Sequence, residues 1–332
     1  MKKIIFLTDT PATYMFLGSY RIWINDLCAY LNACSINSEI KNVTEFSITE
    51  NNSDIIICGK NDAHLSPIIK NHFPNKLVGI INPVANGDTH GADFAIAGSI
   101  EEKCSLSFYD NVVLFPLIEK MYQAKHDYKT HTDTGTIRIA YHGNSVHLNR
   151  FSGGLDKALE RLNKDFDIEL VLLCPSVSQW VYGKPNIKKI RHKTWQLDSI
   201  KQDILNCDIG IVPNISVLSP PIDANPEIGT YDTDYILRFK NKSNAGRSFV
   251  FHQLGIPVVS DLTPSNFHIL GNPENGFIAN NEESWYKSLY ILMNAENRQK
   301  IADSAKKEFD RLYNPLEWAQ KFYQKLESIL QR

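Results

Sequence analysis

Residues 242–261 read Lys242-Ser243-Asn244-Ala245-Gly246-Arg247-Ser248-Phe249-Val250-Phe251-His252-Gln253-Leu254-Gly255-Ile256-Pro257-Val258-Val259-Ser260-Asp261. Ser243 or Asn244 suits a helix N-cap, because a short polar side chain accepts a backbone N–H that the first turn leaves free. Gly255 suits the left-handed residue just past a helix, and Pro257 cannot continue one. Pro257–Ser260 is then a short buried strand. The stretch is one helix followed by one strand, a unit of an α/β fold. The free N–H groups and the positive end of the helix dipole meet Lys242, Ser243 and Arg247. That is an anion site suited to a phosphate or diphosphate. A capped helix with solvated basic residues is the plainer alternative.

Working outward, the same alternation fills the second half of the chain. Ile137–Tyr141 reads as a strand and His142-Gly143-Asn144 as a tight loop. Leu155, Ala158, Leu159 and Leu162 mark one face of a helix. Glu169–Cys174 and Asp208–Val212 are strands, and Ile187–Thr194 is a basic edge strand. A long irregular segment follows, from Pro213 to Lys240. The first half repeats the pattern, with strands at Lys3–Leu7, Asp54–Cys58, Lys76–Ile81, Phe94–Ala97 and Val112–Phe115. Ser19 is a candidate cap for a helix bearing Ile24, Leu27, Cys28 and Leu31. Between the halves, Glu119–Gly135 is polar and aperiodic and reads as a linker.

The chain has 332 residues, which suits two domains of about 150 residues each. A net charge of −2 argues against a nucleic-acid coat. The apolar runs fall far short of the roughly 18 residues of a membrane span. The start, Met1 to Leu7, is too short in its apolar part for a signal peptide and reads as the first strand. The cysteines form no Cys-x-x-Cys pair and no zinc spacing, so they read as reduced thiols in a cytosolic protein. Two α/β domains joined in this way are expected to hold a ligand at the carboxyl ends of their strands.

The run of helix and Gly255-Ile256-Pro257-Val258-Val259-Ser260-Asp261 resembles the donor-binding segment of GT-B nucleotide-sugar glycosyltransferases. Other segments match in the same order. Ile137–Asn144 resembles the first strand and loop of their second domain, and Gly154–Leu173 the helix and strand that follow. Asp203–Pro213 and Asn275–Ala279 resemble two later motifs. The resemblance covers residues 137–330 through motifs and the first half through pattern. Many retaining members carry two spaced glutamates before the Gly-x-Pro turn. Lys242 and Val250 stand at those positions here, so this chain resembles a variant in which Lys, Ser and Arg face the phosphates.

The resemblance implies two Rossmann-like α/β domains facing across a cleft. Residues 1–130 would bind the acceptor and 131–314 the nucleotide-sugar. The last helix, 315–332, would cross back to the first domain. It also implies a glycosyltransferase of bacterial surface-polysaccharide synthesis, acting on a glycan or lipid-linked acceptor. No cofactor and no metal are expected, because Lys242, Arg247 and the helix would neutralise the leaving phosphate. Asp232-Thr233-Asp234 matches a short metal-binding pattern but lies in the wrong half of the chain for it.

The expected donor-binding residues are His142, Gly143, Asn144, Lys242, Ser243, Asn244 and Arg247, with His147 nearby. Asp232 and Asp234 are catalytic candidates in the irregular segment, which also holds Arg238. In the first half, loops after strands carry Asp9, Thr10, Gly18 and Arg21, then Lys60, Asp62 and His64, then Asn82, Asp88 and His90. Among them Asp88, His90 and Asp9 are candidates for a general base, and Asp9, Arg21 and His64 for acceptor binding. The basic run 184–193 suggests peripheral contact with anionic lipid at the inner face of a membrane, although lysines also blunt an edge strand.

The donor stays open between UDP, GDP and CMP types. A UDP- or GDP-hexose is the base expectation. A CMP-linked acidic-sugar (Kdo-like) transferase using Asp232 as nucleophile is one alternative. A GT-B-like UDP-sugar epimerase is another, and a non-enzymatic sugar-binding protein is a third.

Overall fold

The computed structural model describes residues 2–46, 52–83, 89–123, 127–133, 135–144, 154–175, 184–214 and 244–332. They form two compact units, Met1–Gln123 with Asp310–Arg332, and Ala124–Phe309.

The first unit carries a parallel sheet of β1 (Ile4–Thr8), β2 (Ser38–Asn42), β3 (Ile55–Cys58), β4 (Leu77–Ile81), β5 (Phe94–Ala97) and β6 (Val112–Leu114). Their order is β2-β1-β3-β4-β5-β6. The central strands are apolar throughout because helices cover both faces of a parallel sheet. Ile55, Ile56, Ile57 and Cys58 are fully buried and pair in register with Ile4, Ile5, Phe6 and Leu7. β2 was not foreseen in the sequence. It is an edge strand reading Ser-Glu-Ile-Lys-Asn, mostly half-buried, so no apolar run announces it.

The helices of this unit are α1 (Gly18–Tyr20), α2 (Leu27–Ala33), α3 (Ser66–His72) and α4 (Ile100–Ser105), with a π-helical turn, Arg21–Asp26, joining α1 to α2. The apolar face named from the sequence is buried there. The expected cap at Ser19 is not: α1 starts at Gly18 after Leu17, with no side-chain cap. A wider turn of this kind often marks a site where a side chain is aimed to a purpose.

The second unit carries β7 (Ile137–His142), β8 (Ile168–Cys174), β9 (Ile190–Thr194), β10 (Ile209–Val212), β11 (Val258–Ser260) and β12 (Phe277–Ile278). All are parallel, in the order β12-β11-β10-β7-β8-β9. Its helices are α5 (Leu155–Asp165), α6 (Ile200–Leu205), α7 (Gly246–Gln253), α8 (Pro264–Leu270), α9 (Glu282–Ile291) and α10 (Ala295–Leu312). β9 is the edge strand that its basic residues announce.

In both sheets the strand order reverses beside the first strand. The reversal lies between β1 and β3 in one unit and between β7 and β10 in the other. At such switch points the loops after adjacent strands part and leave a crevice.

One polar segment is more ordered than its composition suggests. The second unit anchors much of the expected linker. The Lys129 N–H donates to the Leu254 carbonyl at 3.0 Å, and Lys129 Nζ pairs with Asp208 at 3.1 Å. His131 Nε2 meets the Gly255 carbonyl at 2.9 Å, and Arg298 donates to the Thr132 carbonyl. The division between units falls after Gln123.

The last helix, α11 (Pro315–Leu330), belongs to the first unit, as do the residues from Asp310 onward. Asn314 caps it by accepting from the Leu316 and Glu317 N–H groups. Ala319, Phe322, Leu326 and Ile329 enter the core beside Tyr30 and Phe115, with the Phe322 and Phe115 rings 6.0 Å apart edge to face. Among the described residues no helix is long and apolar enough to cross a membrane.

Candidate functional site

At the switch point of the second sheet, β7 ends in Tyr141 and His142, β10 runs into Pro213 and Asn214, and the first turn of α7 brings Arg247. The three converge. Arg247 Nη1 donates to the Tyr141 hydroxyl at 3.0 Å and to the Pro213 carbonyl at 3.4 Å. Arg247 Nη2 donates to Asn214 Oδ1, and the guanidinium lies 5.5 Å from the Tyr141 ring centre. All these partners are neutral. Among the described residues no carboxylate forms an ion pair with Arg247. A half-buried cation is therefore held in place by neutral partners among the described residues, at the positive end of a helix. Such an arrangement suits an anion.

The neighbours hold this guanidinium still. Gly143 has a φ of +114°, and a Cβ there would lie 3.3 Å from Arg247 Cδ, so the close approach needs glycine. The Tyr141 hydroxyl donates onward to the Asn144 carbonyl at 2.6 Å. Burial pushes the Tyr141 phenol up to about 12, against the pull of Arg247, so it stays a neutral donor and acceptor. His142 turns Nε2 to the Arg247 carbonyl at 3.1 Å and packs edge to face on Phe251. It supports the backbone of α7 from behind.

Under the site, Ser248 donates to Asn266 at 2.8 Å, and Asn266 donates to Ser260 at 2.6 Å. This buried chain ties α7 to α8 and β11. Asn244 accepts from the Gly246 N–H at 3.2 Å, and Ala245 is the capping residue by backbone shape. Asn244 thus closes the turn at the helix start from one position earlier than a standard cap. Gly255 ends the helix at a φ of +70°, under the Tyr128 ring.

The first unit has its own switch point, after β1 and β3. Asp62 is 1% exposed there, and its Oδ1 accepts from the Asp9 N–H at 3.4 Å. Its Oδ2 is buried without a hydrogen-bond partner among the described residues. Burial first, and then Asp9, push Asp62 up to about 6. Asp9 itself is exposed.

His64 is exposed on a short turn after β3, and His90 is half-buried at a φ of +50°, its carbonyl accepting from Ser66. The left-handed backbone of His90 and of Asn82, at +36°, brackets the loop between them. Such strain persists where surrounding contacts over-determine it.

Arg21 departs from the acceptor-binding role expected of it. It is 5% exposed, and Nη2 pairs with Glu119 at 2.5 Å while Nη1 donates to the Met15 carbonyl at 2.7 Å. Its charge is matched inside the unit. Burial pushes Glu119 up and Arg21 pulls it back, which leaves a charge pair that serves the fold. His142, expected against the donor, has its ring turned to α7.

The structure brings His142, Gly143, Asn144, Asn244 and Arg247 to one end of the second sheet. Asp9, His64 and His90 lie in loops after strands of the first. Lys242, Ser243, Asp232, Asp234 and Asp88 fall outside the described residues, as do His147 and Arg238. Tyr141 and Asn214 were not singled out in the sequence. Their signal was positional: each is the residue beside a strand end at a reversal of strand order.

No family model matches this sequence, and no curated relative does. Solved structures do match its fold. HepE of Anabaena, crystallised with UDP-glucose, superimposes with a TM-score of 0.60 at 12% identity, over 99% of this chain and 100% of that one. Sucrose-phosphate synthase of Thermosynechococcus elongatus gives 0.61 at 8% identity, covering 99% of each chain. The lipopolysaccharide outer core galactosyltransferase WaaB, in its apo form, gives 0.54 at 14% identity over 98% of this chain and 99% of that one. The architecture of this chain is that of the GT-B fold.

Proposed function

We propose, with the GT-B fold as premise, that this chain is a glycosyltransferase that moves a sugar from a nucleotide-activated donor to a glycan or lipid-linked acceptor. The donor we favour is a UDP-hexose. HepE was crystallised with UDP-glucose, and WaaB is named as a galactosyltransferase. The observation that carries the reading is Arg247, a half-buried guanidinium held by Tyr141, Pro213 and Asn214 and, among the described residues, in no ion pair with a carboxylate.

The chemistry follows from that charge. In transfer, the bond from the anomeric carbon to the phosphate oxygen breaks, and its electron pair leaves with the nucleoside diphosphate. The acceptor hydroxyl oxygen forms the new bond to that carbon and gives up its proton. Negative charge therefore grows on the leaving phosphate. Arg247 and the start of α7 lie where they stabilise that charge without first having to move. Lys242 and Ser243, adjoining that turn in the sequence, add a second cation and a hydroxyl. Arg247 takes the part that a divalent metal plays in other transferases, so the reaction proceeds in a chelator. The acceptor is handled by the loops of the first unit, with Asp9 and His90 the leading groups.

A thermal-shift series tests the donor. UDP and UDP-glucose raise the melting temperature more than GDP or CMP, because a ligand of the native state stabilises it by mass action. Arg247→Ala removes most of that shift. If no nucleotide raises the melting temperature, the proposal fails. Transfer that stops in EDTA overturns its metal-free part.

A further inference from the structure

The first unit also has a concave site at the other end of its sheet. The switch-point loops follow the carboxyl ends of the strands. A cavity of about 480 Å3 lies instead where β4, β5 and β6 begin, beside Leu77, Asp93 and Asn111. Phe108, after α4, and Ile329, near the end of α11, line it as well. That volume is within the range of small-ligand sites.

One residue fixes its wall. Asp93 Oδ2 accepts from Lys70 Nζ at 2.7 Å and from the Val78 N–H at 2.8 Å. The Asp93 N–H donates to the Val78 carbonyl at 2.8 Å, and the Asp93 carbonyl accepts from Asn111 Nδ2 at 3.2 Å. α3 and the starts of β4, β5 and β6 are thus tied together at Asp93, and the Lys70 and Asp93 charges cancel there.

The groups left over are those that recognise a sugar. Asn111 spends Nδ2 on Asp93, and its Oδ1 accepts from none of the described residues. The Thr89 carbonyl accepts from the Tyr109 hydroxyl at 3.3 Å and from the Ala92 N–H at 3.0 Å. That fixes the Thr89 backbone and leaves its half-buried hydroxyl unbonded among the described residues. Asp110 is an exposed carboxylate in no ion pair among them. Phe108 is half-buried, its ring 4.9 Å from that of Tyr109. A sugar hydroxyl donates to the amide and carboxylate oxygens and exchanges a hydrogen bond with the threonine. The C–H face of the sugar ring rests on the electron-rich face of an aromatic ring.

An anion fits this lining less well. Lys70 is spent on Asp93, and Lys76 Nζ lies 4.5 Å from the Phe73 ring centre. The charge of Arg332 is offset by that of Asp110 on the same lining. We propose that the cavity is a second glycan site, which holds neutral hexose units of an oligosaccharide away from the switch point. That this oligosaccharide is the acceptor's own chain rests on the proposed function; binding of a neutral sugar here does not. A second point of attachment makes engagement of the first intramolecular, so a polymeric acceptor is retained without a new contact at the reacting sugar.

The test needs no turnover. The full chain, labelled with 15N, is titrated with maltotriose, cellotriose and D-glucuronate. The expected result is that a trisaccharide moves the Asn111 side-chain resonances and the Phe108 and Asp110 amides, and that glucuronate does not. Thr89→Val and Asp110→Ala remove groups that bond to nothing else among the described residues, so both variants keep the melting temperature. Each weakens trisaccharide binding about 2- to 10-fold in Kd, the worth of one hydrogen bond. If neither trisaccharide moves these resonances, or if both variants bind as the wild type does, the proposal is overturned. Tighter binding of glucuronate than of either trisaccharide overturns recognition through neutral hydroxyls. The thermal shift with UDP is unchanged in both variants, so the glycan site and the donor reading stand or fall separately.

Discussion

Arg21 and Arg247 each stand at the start of a helical segment in one of two similar α/β units, and the fold treats them in opposite ways. Arg21 sits in a π-helical turn and is buried against Glu119, with the Met15 carbonyl taking another N–H. Arg247 sits in the first turn of α7 and is half-buried against a hydroxyl, a carbonyl and an amide oxygen. The first charge is spent inside the molecule. The second is aimed and, among the described residues, pairs with no carboxylate. A buried pair is costly to break but adds little function, whereas a preorganised single charge has its partner still to come.

Removing each arginine in turn gives the sharpest test of that contrast. Arg21→Ala leaves Glu119 buried without its cation, and the expected loss of stability is about 3–5 kcal/mol. Urea unfolding measures it, and Arg21→Ala with Glu119→Leu together should recover much of the loss. Arg247→Ala should change stability little and weaken UDP binding. One lost charge-assisted contact of about 1.5–3 kcal/mol is about 10- to 150-fold in Kd, read by calorimetry. If Arg247→Ala destabilises as much as Arg21→Ala, the two residues are not opposites.

Gly143→Ala probes the support of Arg247 without touching its charge. Its φ of +114° strains any side chain, and the added Cβ presses on Arg247 Cδ. We expect a loss of about 1–2 kcal/mol in stability, with weaker UDP binding alongside. A variant that binds UDP normally would place the Arg247 clamp outside the site.

The smallest effect separates the units by pH. His252 in α7 is fully buried, with neither ring nitrogen bonded, and burial pushes it down to about 3. His131 is pushed down to about 4 by the same cause. Below their ordinary value near 6.5 the unfolded chain binds protons that the folded chain refuses. Their share of stability is therefore complete above pH 6.5 and is lost as pH falls toward 4 and then 3. Glu119 in the first unit has the opposite sign. Its raised value favours the folded state at low pH, and that share is lost as pH rises. His252→Leu should be near neutral at pH 7 and should flatten the acid limb of stability. Hydrogen exchange at pH 7 and pH 5, resolved by unit, checks both signs.

Much of this fold was legible because parallel sheets bury both faces. Runs such as Ile55–Cys58 and Phe94–Ala97 can be little else than central strands. The helix and Gly-Ile-Pro turn at 246–257 were legible for a local reason, since φ preference acts over a few residues, while the cap falls at Ala245 with no side-chain bond instead of at Ser243 or Asn244. β2 and β12 were not, being short edge strands with little apolar signal. The polar stretch after Glu119 read as a linker because its hydrogen bonds reach distant carbonyls, such as that of Gly255 from His131.

The candidate site divides along the same line. The amino-acid sequence alone marked Arg247 as a cation at a helix start and Asp9 as a carboxylate after the first strand. Local composition is enough for that. It also marked Arg21, which the structure pairs with Glu119 inside the first unit. Whether an arginine is neutralised depends on a partner far along the chain. Glu119 lies 98 residues from Arg21, Tyr141 lies 106 residues from Arg247, and Asp62 lies 53 residues from Asp9. Backbone preference is a property of neighbours in sequence, and charge state is a property of neighbours in space. The tertiary structure alone therefore decided which of these charges are paired within the described fold and which meet only neutral partners there.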